Sequence, residues 1–252
     1  MTIQQIRSAT LKITYGGITF LLDPWLEDQG AGRAAPAVRA DMQGKRAPLD
    51  ALPFPPDEVL AGVDHLLVSH IHPDHFTPHY LPKNISILTQ NQTDAQTVAD
   101  MGFEQVTAFQ DDRLTLGSVE LTRVDGIHGD NPQLAEKMGT VSGFVLRHPS
   151  EKTLYLCGDT VWCDSVRETV DRETPDVIAV NCCAATLPFG RLLMDDKELA
   201  QLAQLAPQSH IIATHFGSIN HALITREEIK QFVRESGLSN VLVPENGETL
   251  TF

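Results

Sequence analysis

The chain has 252 residues, 42% of them hydrophobic and 21% charged, an ordinary balance for a soluble globular fold. Its formal charge of −14 argues against a polyanionic partner, because phosphate backbones are held by clustered Lys and Arg; nucleic acid is therefore not expected. No apolar run approaches the roughly 18 residues of a membrane span.

The opening stretch, Met1 to Ser8, lacks the apolar core of a secretory signal. Cys157, Cys163, Cys182 and Cys183 match no disulfide framework or zinc-knuckle spacing, so reduced thiols and a cytoplasmic location are expected. Thr10–Thr14 and Ile18–Leu22 read as a hairpin about a Tyr15-Gly16-Gly17 turn, and the second strand runs into Asp23-Pro24. Residues 25–56 carry Gly30, Gly32, Pro36, Gly44, Pro48, Pro53, Pro55 and Pro56 with little periodicity. An aperiodic stretch of that length in a compact domain is usually functional or disordered, and here it is a candidate cover for a substrate site.

Strands follow near 64–69 and 85–89, a helix near 93–101, and strands near 105–109, 113–116 and 118–124. A strand pair at 142–147 and 153–157 precedes a helix over about 161–172. Val177–Val180 reads as a buried strand, and Asp195 with Glu198 forms a capping pattern for a helix to about 205. Ile211–Ala213 is a second buried strand. Thr225 with Glu228 repeats the capping pattern before a helix to about Ser236, stopped by Gly237, and Leu242-Val243 closes as a short strand. With no repeat or linker to divide it, residues 1–252 read as one layered α/β domain. Asp23, His70, Asp159, Asn181 and His215 each follow an apolar strand-like run, where layered α/β folds place ligand chemistry.

The segment His70-Ile71-His72-Pro73-Asp74-His75 puts three imidazoles and a carboxylate within six residues. Alternate residues of an extended segment point the same way, so His70 and His72 suit one ion. Beyond the Pro73 bend, Asp74 and His75 turn toward a second. First-row metals accept this imidazole and carboxylate mixture. Three more candidates stand alone: His128 between Gly126 and Gly129, Asp159 in Cys157-Gly158-Asp159-Thr160, and His215 in Ala213-Thr214-His215-Phe216. A lone histidine at a strand end is ordinarily a structural hydrogen-bonder; with the cluster and in this order, these read as its partners.

In this set of residues the chain resembles the metallo-β-lactamase-fold superfamily, within it the ascorbate-6-phosphate lactonase-like branch of metal-dependent hydrolases. The resemblance covers essentially the whole chain: Asp23 in Leu-Leu-Asp-Pro, the His-x-His-x-Asp-His signature, His128, the Gly-Asp-Thr aspartate and the final His215. Trp162-Cys163 and Asn220-His221 look like less-characterised members of that branch. The chain departs from the pattern near its start, reading Arg7-Ser8-Ala9 where many relatives carry a histidine. The resemblance implies a four-layer αββα sandwich with a dinuclear site at one edge of two sheets. It also implies that His70, His72 and His128 hold one metal, that Asp74, His75 and His215 hold the other, and that Asp159 bridges them. Asp23 would stand behind the ligands and orient the signature loop.

Two divalent ions, with zinc or manganese ahead of iron, would share a water and bring its pKa toward neutrality, which makes metal-assisted hydrolysis the expected reaction. Asp74 would orient the nucleophile while ligating, and His221, six residues after His215, would donate the proton. The cations Arg33, Arg39, Lys45 and Arg46 of the long segment suggest a small anionic ester, lactone or phosphoester. Arg33, Asn181, Asn220 and His221 are the candidate substrate contacts. His65, His79, His148 and His210 read as structural or solvated. A di-iron or other metal-dependent oxidoreductase is the alternative activity. The expected partner is a small molecule, with no nucleic acid or membrane, and the sequence leaves the oligomeric state open, a homo-oligomer included.

Overall fold

The computed structural model describes residues 1–252. The chain opens with a meander: β1 (Thr2–Arg7), β2 (Thr10–Tyr15) and β3 (Ile18–Leu22) run antiparallel. The β2–β3 turn uses Gly16 and Gly17 at φ 57° and 81°, the left-handed pair that a two-residue hairpin requires. A Cβ on Gly16 would also sit 2.7 Å from Val119. Three parallel strands extend this sheet, β4 (His65–Val68), β5 (Ser86–Thr89) and β6 (Gln105–Ala108), with the short helix α1 (Pro56–Leu60) before them and α2 (Gln92–Asp100) between the last two.

The second sheet mirrors that plan. β7 (Arg113–Leu116), β8 (Val119–Asp125), β9 (Ser142–Arg147) and β10 (Leu154–Leu156) are antiparallel, with α3 (Pro132–Met138) between β8 and β9. After α4 (Asp164–Glu173) comes β11 (Val177–Asn181), parallel to β10. A small ribbon of β12 (Thr186–Leu187) and β13 (Gly190–Arg191) leads to α5 (Asp196–Leu205). β14 (His210–Thr214), α6 (Arg226–Glu235) and β15 (Val241–Leu242) complete this sheet, and β16 (Thr249–Thr251) returns to pair with β1. The orders are β16-β1-β2-β3-β4-β5-β6 and β15-β14-β11-β10-β9-β8-β7.

The period-two alternation of strand side chains sorts the apolar residues into three layers. Phe20, Leu22, Leu67 and Leu88 face Phe144, Leu154, Leu156 and Ile212 between the sheets. Leu21, Leu66 and Ile87 point the other way, against Val59 of α1 and Val98 of α2. Tyr155, Ile178 and Ile211 pack outward against Val166, Leu199, Leu202 and Ile229 of the remaining helices. Three apolar layers between four layers of elements give the expected αββα sandwich, in which each sheet is covered on both faces.

Both expected capping boxes are present: Asp195 with Glu198 starts α5, and Thr225 with Glu228 starts α6. Elements the sequence did not announce are short or irregular. β1 buries Gln5 and Arg7 among its apolar residues, which breaks the alternation that would mark it as a strand. α1 and α3, of five and seven residues, are too short to show a helical period. No helix is long and apolar enough to cross a membrane.

The segment 25–56 is ordered without strands, because its backbone groups find partners across its own loop and in the sandwich. Gly30 and Gly32 donate to Pro48 and Ala47 carbonyls, and Arg46 donates to the carbonyls of Ala31 and Gly32. Arg7, with 0% exposure, reaches from the end of β1 to the carbonyls of Trp25 (2.7 Å), Glu27 (2.9 Å) and Asp50 (3.3 Å). Its guanidinium also lies 4.9 Å from the Trp25 ring centroid. Burial pulls this group down to about 10, against the opposing pull of Asp50, Glu27 and Asp28, so it stays a cation at neutral pH.

Candidate metal centre

The polar residues of the site sit where strands stop. Asp23 follows β3, His70 follows β4 with one residue between, His128 lies beyond β8, Asp159 beyond β10 and His215 directly after β14. Three non-glycine residues here adopt left-handed backbone: Ser8 (φ 53°), Asp23 (φ 45°) and His215 (φ 74°). Such conformations cost on the order of 1–3 kcal/mol each and persist where surrounding contacts over-determine them. Gly158 supplies the turn before Asp159, and a Cβ there would meet the Ser142 carbonyl at 2.4 Å.

The donors converge into three groups, His70 with His72 and His128, His70 with His75 and Asp159, and Asp74 with His75 and His215, the ligand atoms of each lying within 4.8 Å of one another. His70 Nε2 faces His72 Nδ1 at 3.0 Å, and His75 Nε2 faces His215 Nε2 at 3.1 Å. Pairs of ring nitrogens at that separation fit the edge of a tetrahedron built on metal–nitrogen bonds of about 2.0–2.1 Å, close to 3.3 Å. Asp159 lies between the groups: Oδ2 is 3.0 Å from His75 and 3.6 Å from His128, and Oδ1 is 3.8 Å from His215. The donor set fits metal ions, and all seven residues named from sequence take part.

Partners behind the donors set which ring nitrogen faces inward. His75 Nδ1 donates to Asp23 at 2.8 Å, and the Ser69 hydroxyl and amide donate to the same carboxylate at 2.7 and 2.8 Å. The Ser69 oxygen lies 3.0 Å from His70 Nδ1, so Asp23 orients two imidazoles at once. His128 Nδ1 donates to the Leu192 carbonyl at 3.2 Å. His215 Nδ1 lies 3.2 Å from the Ser8 hydroxyl, and its backbone N–H donates to the Ser8 carbonyl. The Arg7-Ser8 departure from the family pattern is therefore not a gap: Ser8 supports one donor and Arg7 holds the long segment. Nothing in sequence signals either role, since Ser8 and His215 are 207 positions apart.

Electrostatics follow from burial and these pairings. Burial pushes the His70 imidazole well below its ordinary value, reinforced by His75 and His72, and takes His128 down to about 4. Burial also acts against the charge on His75, but Asp159 and Asp23 outweigh it and raise that group well above the usual range. The Asp159 carboxyl, raised by burial, is carried well below its ordinary value by His75, His215 and His128. Asp74 behaves likewise, desolvation raising it and His75 with His215 leaving it lowered overall; its side chain is 24% exposed.

The remaining sequence candidates divide. Asn181, expected to touch substrate, instead donates to Asp159 Oδ1 at 2.6 Å and accepts from the Thr214 hydroxyl at 2.6 Å. Its amide holds the carboxylate in place. Asn220, expected in the same role, accepts from the Ala35 N–H and donates to the carbonyls of Ala35 and Met42. It pins the long segment down. Arg33 is exposed but lines a second cavity with Asp74 and His221, Arg39 pairs with Asp41, and Lys45 lies beside Met42. His221 does border the donors: its Nδ1 is buried without a partner, and burial lowers its pKa.

Next to the donors is a cavity of about 230 Å³, walled by Ala35, Met138, Leu187, Leu192, Leu193 and Ile219, with His72, Asp74, His128, Asp159, His215 and His221 as its polar face. No Lys or Arg lines it. Sequence reasoning missed Met138, Leu187, Leu192 and Leu193, which carry no motif.

Comparison with known proteins agrees with this geometry. Residues 19–216 match the model of the beta-lactamase superfamily domain. The protein YddR of Bacillus subtilis is 40% identical over all of both chains. Among solved structures, isothiocyanate hydrolase from Delia radicum gut bacteria superposes with a TM-score of 0.94 at 33% identity, over 100% of this chain and 99% of that one. A possible metal-dependent hydrolase from Veillonella parvula does so with a TM-score of 0.93 at 30% identity, over 100% and 99%.

Proposed function

Because the chain belongs to the beta-lactamase superfamily and is a metal-dependent hydrolase of that fold, we propose that it holds two divalent ions and hydrolyses a small, uncharged molecule with an electrophilic carbon, an isothiocyanate before an ester or lactone. The observation that carries this reading is the cavity of about 230 Å³, apolar on one side, bordered by metal donors on the other and without Lys or Arg. The 33% identical relative that acts on isothiocyanates supports the choice of substrate. The cations of residues 25–56, which suggested an anionic substrate, do not line that cavity.

His70, His72 and His128 would hold one ion, and Asp74, His75 and His215 the other, with Asp159 between them. Zinc and manganese both suit this donor set, and iron is the third choice. Such ions, when bound, supply Lewis acidity and ease the deprotonation of water. The chain's own residues do the rest. Asn181 and Thr214 hold Asp159 in register. Asp74, on the cavity wall, orients the attacking water. His221, its pKa lowered by burial and its Nδ1 unpartnered, takes the proton that water releases and returns it to the leaving nitrogen. The apolar wall excludes bulk solvent. For an isothiocyanate the balance is R–N=C=S + H₂O → R–NH₂ + COS: a C–O bond forms, the C–N bond breaks, and both water protons end on nitrogen.

The test is elemental analysis of untagged protein purified without chelators, with His70→Ala as control, followed by assay of amine release from benzyl isothiocyanate. About two zinc or manganese ions per chain, with turnover that chelation abolishes and metal restores, is the expected result. Metal-loaded protein inert on isothiocyanates, esters and lactones overturns the proposal. Two irons with oxygen-dependent turnover would replace it with the oxidoreductase.

A further inference from the structure

Asp74, Ile219 and His221 have a second side. They also border a compartment of about 170 Å³ whose other walls include Trp25, Glu27, Gly32, Arg33, Ala34 and Ala47. The long segment 25–56 supplies these six walls, and Asp74, itself a donor, and His221 line both this compartment and the cavity beside the donors. A volume of about 150 Å³ is large enough to take a benzene ring. The indole of Trp25 forms a wall fixed on two sides: it is 2% exposed, stacked under the Arg7 guanidinium, and its Nε1 donates to Glu27 at 3.3 Å. The side chains of Ala34 and Ala47 add no more than a methyl each. The charged groups here are Glu27 and Asp74, both acidic, and Arg33, which is exposed; Asn220 and His221 complete the polar part of the lining.

We propose that this compartment receives the organic substituent of the substrate, that the substituent is apolar and up to a benzyl group in size, and that Ala34 is the residue that sets the size limit. The inference rests on the hydrolase reading above and extends it from the reacting carbon to the group attached to it. The two cavities share Asp74 and His221, so a substrate spanning them has its cleavable bond beside those two side chains. The smallness of Gly32, Ala34 and Ala35, which line the compartment, then has a function: larger side chains would fill the space.

Ala34→Leu is the test, with Ala31→Leu, on an exposed neighbour outside the lining, as its control. The quantity read is the ratio of kcat/KM for benzyl over methyl isothiocyanate. A small change in a hydrophobic pocket is worth about 10–200-fold in discrimination, so this ratio falls at least about tenfold in Ala34→Leu and stays at the wild-type value in Ala31→Leu. A second readout needs no turnover. In zinc-loaded Trp162→Phe protein, Trp25 is the remaining indole, and benzylamine shifts its emission where methylamine does not; adding Ala34→Leu abolishes that shift. Should wild-type protein bind benzylamine in this way yet hydrolyse no isothiocyanate, the compartment stands and the substrate reading fails. An unchanged ratio with no response of Trp25 overturns the compartment alone. Preference for 4-carboxyphenyl over phenyl isothiocyanate also overturns it, in favour of an anion site at Arg33.

Discussion

Arg7→Met is the substitution that most directly probes how the long segment is held. Methionine keeps much of the apolar stem but removes a buried cation that donates to three carbonyls, at 2.7, 2.9 and 3.3 Å. Each hydrogen bond from a charged donor contributes about 1.5–3 kcal/mol, and a carbonyl left buried without a donor costs about 1–3 kcal/mol. Against that, the mutant no longer desolvates a guanidinium, and Glu27 and Asp28 lie where water can reach them. The balance is a loss of about 2–4 kcal/mol. In a chain of this size each kcal/mol moves Tm by about 2–4 °C, so the midpoint drops by roughly 4–16 °C. The Trp25 indole also loses the cation stacked on it. Limited proteolysis should then cleave within residues 25–50 before any other part of the chain opens. Arg7→Lys should recover little, because a single ammonium cannot reach three divergent carbonyls. A Tm within about 2 °C of wild type, with residues 25–50 as protected as before, would refute the clamp.

Four further outcomes are expected. Asp23→Asn, which removes the acceptor shared by His75 and Ser69, should weaken metal binding about 10–100-fold in chelator competition; unchanged affinity would mean that Asp23 only stabilises the turn. His128→Ala and His215→Ala should each lose one of two metal equivalents by elemental analysis, since they belong to different donor groups, and loss of both from either variant would argue for a single shared ion. Chelation should lower Tm by the binding energy withdrawn, about 2.7 kcal/mol at a free metal concentration of 100 Kd, and a Tm insensitive to chelator and metal would show that the donors bind no ion tightly. Asn220→Ala should cost about 1–3 kcal/mol in urea unfolding and loosen residues 35–42, because the amide bonds to Ala35 and Met42 are lost; a change in KM with stability intact would return Asn220 to the substrate.

The sequence by itself determined the candidate donor set, and through its family resemblance it implied the layers. His70, His72, Asp74 and His75 are contiguous, so local geometry alone confines their side chains to one neighbourhood. Asp23, Asp159 and His215 were legible because each ends an apolar strand, and strands of one fold end at a common edge. The layers were implied by the resemblance, and in the structure strand alternation produces them, Leu21 turning one way while Phe20 and Leu22 turn the other. What only the tertiary structure decided depends on partners far apart in the chain. Asn220 is a polar residue beside His221 in sequence, and only its contact with Ala35, 185 positions away, makes it a clamp on the long segment as well as a wall of the second cavity. Arg7 and Ser8 are mute for the same reason. The polarity of the cavity is also a tertiary property, set by Met138, Leu187, Leu192 and Leu193 arriving from separate elements while Arg39, Lys45 and Arg46 are held elsewhere. Metal ligands must be particular residue types, and so leave a readable pattern. A cavity wall needs only volume and apolarity, which many sequences supply, and its members are recognised by where the fold carries them.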